Sequence, residues 1–254
     1  MFLTKDDLKL SYGVDLVIGE TFVNRPVPSG NLYWNNRRIY IPGAPGYYFM
    51  PIYADMLVRL GADKSLILSD NHFKLNEIIL HQAARFEHGH ISWLEQVNEI
   101  LEKAAPFVRQ QTFFSRLSAY LLQPVPMSLA GSNLGTPFPS LNRADCFLVS
   151  LSAVGGTQFN LQLAVAGWYS LMTYLLVLDD LSDIHEDIRN NEENVLLDAQ
   201  KDAAQKKTIE YMLQQSKEVM QVINPVMANR IDHRMSQINL DEIFASILNN
   251  VSDT

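Results

Sequence analysis

An acidic stretch in the C-terminal half contains the residues best suited to chemistry. It reads Asp179-Asp180-Leu181-Ser182-Asp183-Ile184-His185-Glu186-Asp187-Ile188-Arg189-Asn190. On a helix, Asp179, Asp183 and Glu186 share one face. Asp180, Asp183 and Asp187 share an adjoining face. Carboxylates this close repel one another unless something neutralises them. The spacing favours a divalent cation, and hard oxygen ligands with retained water suit Mg²⁺ better than Zn²⁺.

The segment that must position these carboxylates is the apolar run Leu161 to Leu178, which directly precedes them. As a helix it would be apolar around most of its circumference, so the carboxylates would lie at the mouth of an apolar interior. A lipophilic diphosphate requires such a combination of metal ligands and apolar surface. The run approaches the length of a membrane span, but it contains Gln162, Ser170 and Thr173. We therefore expect a buried central helix and no transmembrane segment.

The motif Asp179-Asp180-Leu181-Ser182-Asp183 resembles the second aspartate-rich motif, DDxxD, of the class I isoprenoid synthases. That family includes the trans-prenyl diphosphate synthases and the squalene and phytoene synthases. In residues 184–190 acidic side chains are followed by a basic one, which is similar to the sequence that follows this motif in several branches of the family. The glycine-interrupted segment Asp145 to Gly156 is similar in its placement before the motif. The resemblance covers about residues 140–200.

The resemblance implies an all-α helical bundle of isoprenoid-synthase type, Mg²⁺ as the cofactor and an isoprenyl diphosphate or similar lipophilic ligand. It implies the activity of a divergent prenyltransferase or terpene synthase-like enzyme, a transferase or lyase, and by analogy a homodimer. The implied metal ligands are Asp179, Asp180, Asp183 and Asp187, of which the first three are also catalytic, and the implied diphosphate contacts are Arg143 and Arg189.

The N-terminal half departs from the family pattern, because no first aspartate-rich motif is present there. Its residues Asp55, Asp63 and Asp70 are isolated from one another. Chain elongation requires a second metal clamp, so the sequence predicts weak elongation or none. Three alternatives stay open beside the diphosphate hypothesis. The acidic stretch could be a solvated helix end or another kind of metal site, and the chain could be a non-catalytic helical scaffold for interactions.

A second group of polar residues lies in the first half of the chain: Glu77, His81, Glu87, His88 and His90. Its Glu-x-x-His spacing occurs in di-iron carboxylate bundles. That chemistry needs a second Glu-x-x-His on a partner helix, and the sequence contains none. We therefore interpret these side chains as an ordinary polar helix face.

Composition restricts the partners and the compartment. Twenty basic and 28 acidic side chains give a net charge of -8, which is the wrong sign for attraction to nucleic acid. Cys146 is the one cysteine, so no internal disulfide is possible. This favours a reducing compartment, and acidic residues near the N-terminus do not suit a signal peptide. We expect a cytoplasmic protein.

The remaining pattern predicts two regions. Residues 1–48 contain the short β-prone runs Val14 to Ile18 and Arg38 to Ile41, which predict a hairpin or extended arm. Helical spacing begins at about Phe49 and continues through residues 49–254. The proline-rich and glycine-containing stretch Gln123 to Ser140 predicts the main internal loop. Pro225 predicts the start of the last helix, over about residues 225–248.

Overall fold

The computed structural model describes residues 4–26, 29–30, 32, 49–129, 132–199 and 203–251. In this part of the chain the all-α prediction is confirmed, since helices form nearly all of the regular structure. The α-helices are α1 (Lys5–Tyr12), α2 (Leu16–Val23), α3 (Phe49–Arg59), α4 (Lys64–Ile67), α5 (Asp70–Glu87), α6 (Trp93–Ala104), α7 (Gln111–Leu122), α8 (Leu161–Asn190), α9 (Val195–Ala199), α10 (Ala203–Ile223), α11 (Pro225–Met235) and α12 (Leu240–Val251).

The segments between α6 and α8 are short and irregular. Strands β1 (Met127–Leu129) and β2 (Ser132–Leu134) form an antiparallel pair within the predicted loop. Three 3₁₀ helices, at Ala105–Phe107, Pro139–Asn142 and Asp145–Ala153, complete this region. Pro106 and Pro139 lie at or next to the first positions of their 3₁₀ helices, where a missing backbone N–H is tolerated. Residues 122–128 of this region are exposed, whereas residues 145–152 are buried in the core.

Helix α8 is the central element of the fold. The Asn160 side chain caps it by accepting a hydrogen bond from Leu163 N at 3.0 Å. It packs against α10, α3 and the 145–153 segment, and its residues Trp168, Leu171 and Val177 are fully buried. Among the described residues α8 is the helix long and apolar enough to cross a membrane. Of its apolar 18-residue stretch, 67% is buried inside the protein.

The N-terminal region differs from the β-prone prediction, which is wrong for Val14 to Ile18. Thr4 and Asp7 form a capping box that starts α1, and Gly13 ends it with a φ of 70°. The Asp15 side chain then accepts hydrogen bonds from Val17 N and Ile18 N and starts α2. Local capping thus outweighs the β propensity of the valines and isoleucine. The second run, 38–41, lies outside the described residues.

Both N-terminal helices pack onto the helical body. Arg59 Nη2 donates to Gly13 O at 2.6 Å, and Asn224 Nδ2 donates to Tyr12 O at 2.8 Å. The buried side chains Ile18 and Phe22 belong to the same hydrophobic core as α3 and α5. Residues 5–23 are therefore part of the core rather than an extended arm.

Several helix boundaries were predicted closely. Helix α3 begins at Phe49, as the periodicity indicated, and Pro225 is the first residue of α11. The cap of α5 is Ser69, whose hydroxyl accepts a hydrogen bond from His72 N. The predicted helix over 225–248 is divided into α11 and α12, because α11 ends at Met235 and the chain turns at residues 236–239.

Candidate functional site

The four aspartates of the acidic stretch lie on the second half of α8 and differ sharply in exposure. Asp180 is 2% exposed and Asp187 is 7% exposed, so both point into the protein. Asp179 is partly buried, and Asp183 is exposed. The carboxylates therefore form an inner pair, Asp180 and Asp187, and an outer pair, Asp179 and Asp183.

Arg143 is the basic residue that the fold brings to the aspartates. It follows the 3₁₀ helix at Pro139–Asn142, and its Nη1 donates to Ser140 O at 2.8 Å, which fixes the side chain. Its Nη2 donates to Asp180 Oδ1 at 2.6 Å and lies 3.5 Å from Asp179 Oδ2. Of the two arginines proposed for diphosphate contact, Arg143 thus lies beside the first two carboxylates of the motif.

Arg189 has a different environment. It is exposed in the last turn of α8, where a positive charge interacts favourably with the helix dipole. Its Cα is about 9 Å along the helix axis from that of Asp183, at a rise of 1.5 Å per residue. The structure therefore brings Arg143, and not Arg189, into contact with the motif.

The chain that follows α8 folds back onto the inner pair. Asn191, with a φ of 56°, ends the helix in the left-handed conformation that asparagine tolerates. Asn194 then donates from Nδ2 to Asp180 O at 2.8 Å and to Asp187 Oδ2 at 2.7 Å. Val195 N donates to Asp180 Oδ2 at 2.6 Å. Both inner carboxylates are thereby hydrogen-bonded within the protein.

Helix α9 also connects this region to Arg143. Asp198 accepts hydrogen bonds from Ser140 N at 3.2 Å and from Ser140 Oγ at 2.7 Å. Ser140 in turn accepts from Arg143 through its carbonyl oxygen. The α9 segment, the 139–142 turn and α8 therefore form one hydrogen-bonded unit around the aspartates. Sequence reasoning missed Asn194, Ser140 and Asp198, which belong to no recognised motif.

Burial raises the pKa of the two adjacent carboxyl groups, Asp179 and Asp180. Burial raises the pKa of Asp179 to about 7, Arg143 opposes this shift, and the charges of Asp180, Asp183 and Asp187 add to it. Burial also raises the pKa of Asp180, although its hydrogen bond to Arg143 works in the opposite direction. Asp179 is thus a carboxylate whose negative charge the protein compensates only in part.

These geometries indicate which carboxylates fit a metal ion. Within the described ranges, no three His, Cys, Asp or Glu side chains are arranged to hold a metal. Asp180 and Asp187 are occupied by Arg143, Val195 and Asn194. Asp183 has no hydrogen bond or ion pair to any residue that the structure describes, and Asp179 has only the 3.5 Å contact. Two carboxylates one turn apart fit Mg²⁺ where phosphates and water complete its ligands.

The second polar group from the sequence has structural partners in this fold. Arg25 donates from Nε and Nη2 to the Glu77 carboxylate, and its guanidinium lies 4.4 Å from the Phe73 ring centroid. His81 Nδ1 accepts from Leu32 N at 3.4 Å. These contacts join the segment after α2 to α5. The rings of His88 and His90 lie 5.8 Å apart on the surface, where both residues are exposed.

A buried carboxylate that sequence reasoning did not single out is Asp145, which is 1% exposed. It accepts hydrogen bonds from Tyr120 Oη at 2.5 Å, Tyr169 Oη at 2.9 Å and Trp168 Nε1 at 3.2 Å. Gly135 N donates to Tyr169 Oη at 2.6 Å. Burial raises the pKa of Asp145 to about 6, and the three donors oppose that shift. The aspartate joins α7, α8 and the 145–153 segment.

Comparison with known proteins gives no assignment for this site. No protein-family model matches the chain, and neither the curated proteins nor the solved structures contain a significant match.

Proposed function

We propose that this protein binds an isoprenyl diphosphate or a similar lipophilic diphosphate, in a Mg²⁺-dependent manner, at the outer carboxylates of α8. The observation that supports the proposal is the incomplete compensation of Asp179 and Asp183, one turn apart, beside Arg143. Burial and the neighbouring carboxylates raise the pKa of Asp179, and a divalent cation would compensate the negative charge there. The DDxxD resemblance supplies the class of ligand.

In this proposal each residue has a separate task. Asp179 and Asp183 hold Mg²⁺, which when bound neutralises diphosphate oxygens and assists departure of the leaving group. Asp180 stays paired with Arg143 and fixes the orientation of its guanidinium. The remaining donor capacity of that guanidinium faces the diphosphate, and Arg189 is an exposed second cation on the same helix. Asp187 stays hydrogen-bonded to Asn194 and holds the segment after α8 against the helix.

The proposed activity is limited to one diphosphate. Elongation must hold a second diphosphate in line with the first, and the sequence lacks the motif that would supply the second clamp. Losing one clamp should cost several orders of magnitude in rate. Binding of one diphosphate, or its ionisation in the manner of a terpene synthase, needs only the site on α8. Cytoplasmic location and a homodimeric state complete the proposal.

A specific observation favours a second candidate function, that of a non-catalytic helical scaffold. Asp180 and Asp187 form internal hydrogen bonds of the kind that stabilise a fold, and Arg143 is paired with a buried carboxylate. In that case the whole acidic stretch would be structural. The two candidates differ in whether Asp179 and Asp183 respond to Mg²⁺ and diphosphate.

The experiment that separates them is equilibrium binding of labelled geranyl or farnesyl diphosphate, with millimolar Mg²⁺ and with EDTA. The diphosphate proposal expects binding that depends on Mg²⁺ and is weakened at least tenfold in Asp183→Asn. Glu192→Gln, which changes an exposed carboxylate just beyond α8, is the matched control and should bind normally. Absence of binding at high micromolar ligand would favour the scaffold function.

Turnover is tested in the same samples. We expect no elongated product when isopentenyl diphosphate is added, and either intact diphosphate or products of simple ionisation. Efficient elongation would contradict the proposed limit to one diphosphate and would indicate a second clamp in the N-terminal half.

A further inference from the structure

The turn between α5 and α6 places two histidine rings next to each other on the surface. His88 and His90 are both exposed, and their ring centroids lie 5.8 Å apart with an angle of 34° between the ring planes. Neither ring forms a hydrogen bond or an ion pair with a residue that the structure describes. Each neutral imidazole therefore has a nitrogen lone pair that a ligand from solvent can reach.

The backbone of this turn fixes the positions from which the two side chains start. Gly89 has a φ of 68° and its N–H donates to Phe86 O at 2.9 Å. His90 N donates to Arg85 O at 2.8 Å, which completes a Schellman motif at the end of α5. Helix α6 follows directly and begins with a capping box of its own. Residues 88–90 thus lie between two capped helix ends, and little backbone entropy is lost when both rings bind one ligand.

The separation of the rings suits two imidazoles that share one metal ion. With metal–nitrogen bonds of about 2.0 to 2.1 Å and a tetrahedral angle at the metal, the centroids of two imidazole ligands lie about 5 Å apart. The observed separation of 5.8 Å is a small side-chain rotation away from that arrangement, and exposed side chains rotate on a nanosecond scale or faster. Imidazole nitrogen suits Zn²⁺, Ni²⁺ and Cu²⁺, whereas Mg²⁺ prefers oxygen ligands.

We infer that His88 and His90 together bind a divalent transition-metal ion of this imidazole-preferring class, with water in the remaining coordination positions. Within the described ranges no third His, Cys, Asp or Glu side chain is arranged to complete the site. Structural zinc sites have four protein ligands and catalytic sites three, so a site with two should bind its ion more weakly and exchange it. The site differs from the proposed Mg²⁺ site on α8 in its ligand atoms and in its element.

A role in ending the helix accounts for only one of the two rings. His88 is the C-cap residue of α5, where a protonated imidazole interacts favourably with the helix dipole. His90 lies beyond the helix, and the Schellman motif uses its backbone N–H rather than its side chain. Binding of one metal ion by both rings uses both residues.

The test is isothermal titration with Zn²⁺ in a buffer that contains millimolar Mg²⁺, which occupies oxygen-ligand sites such as the one proposed on α8. We expect Zn²⁺ binding in the wild type. The affinity should fall by about tenfold or more in His90→Gln, because the second imidazole binds as an intramolecular ligand. This side chain is exposed and makes no hydrogen bond to the described residues, so the variant should fold normally. His233→Gln, which removes an exposed histidine from α11, is the matched control and should bind as the wild type does.

Electron paramagnetic resonance with substoichiometric Cu²⁺ identifies the ligands directly. We expect two imidazole nitrogens on the ion in the wild type and one in His90→Gln. Asp183→Asn separates this inference from the proposed function, because it should leave Zn²⁺ binding unchanged. Zn²⁺ binding that is lost in Asp183→Asn and retained in His90→Gln would place the ion at the acidic stretch and overturn the inference. A wild type that binds no Zn²⁺ at high micromolar concentration would overturn it as well.

Discussion

Arg143 and Asp180 form an ion pair in which Nη2 lies 2.6 Å from Oδ1 and the carboxylate is 2% exposed. The pair joins the turn before the 145–153 segment to the second half of α8. Removing one member of a buried pair leaves the other charge without compensation, whereas removing both does not. This relationship therefore gives the most direct test of the network around the aspartates.

We expect Arg143→Gln to lower the free energy of unfolding by about 3 to 5 kcal/mol, because Asp180 would stay buried without its cation. The double variant Arg143→Gln with Asp180→Asn should recover part of this loss. Urea unfolding of the wild type, the two single variants and the double variant would measure it. Lys5→Gln, which breaks the exposed pair with Glu20, is the control and should change stability little. Additive losses would contradict direct coupling.

Asp179 should make stability depend on pH. Its pKa in the folded protein is about 7, above the ordinary value of 3.8, so the native state binds the proton more tightly than the unfolded state. The resulting destabilisation is absent below about pH 4 and complete above about pH 7. Asp179→Asn should therefore be more stable than the wild type at pH 8, by up to about 4 kcal/mol, and similar at pH 4. A difference independent of pH would disprove the assignment.

Mg²⁺ should raise the thermal midpoint of the protein, and more at pH 8 than at pH 6, because protonation of Asp179 competes with the cation. A ligand present at ten times its Kd stabilises the native state by about 1.4 kcal/mol. Scanning fluorimetry with and without a prenyl diphosphate would measure the shift. Asp183→Asn should reduce it, whereas Glu192→Gln should not. A wild type that does not respond to Mg²⁺ under either condition would exclude the metal proposal.

Two adjacent glycines provide a matched test of packing. A Cβ at Gly156 would collide with the backbone carbonyl oxygen of Gly61, whereas a Cβ at Gly155 would meet only ordinary contacts at 3.8 Å. The loops that contain Gly61 and Gly156 are also joined by a hydrogen bond from Asp63 N to Gly155 O at 2.9 Å. We expect Gly156→Ala to cost about 1 to 3 kcal/mol and Gly155→Ala to be nearly neutral, in chemical denaturation. Equal costs would show that the loops can separate.

The sequence predicted the helical class and the central position of α8 because those depend on local periodicity and on the distribution of apolar residues. It also placed the four aspartates on two faces of one helix. It did not predict which aspartates face inward, because that depends on Arg143, Asn194 and Val195, which approach from other parts of the chain. Long-range partners of this kind leave no periodic signal.

In the N-terminal region the prediction was wrong although a local signal for the correct structure was present. Val14 to Ile18 has a β-prone composition, but Asp15 supplies an acceptor for two backbone N–H groups and starts a helix. A capping aspartate immediately before an apolar run was visible in the sequence and could have indicated α2. The partners of Asp145 had no such signal, since Tyr120, Trp168 and Tyr169 are spread over two helices.

The carboxylate of Asp145 has a consequence for how the protein opens. Separating α7 from α8 would break the hydrogen bond from Tyr120 to Asp145 and would expose a carboxylate to which Trp168 and Tyr169 also donate. Such an opening has few intermediate steps, because the bonds converge on one side chain. Amide hydrogens around this point should therefore exchange with deuterium only through unfolding of the whole domain, and should be among the slowest in the protein. Those of the exposed helix ends should exchange much earlier.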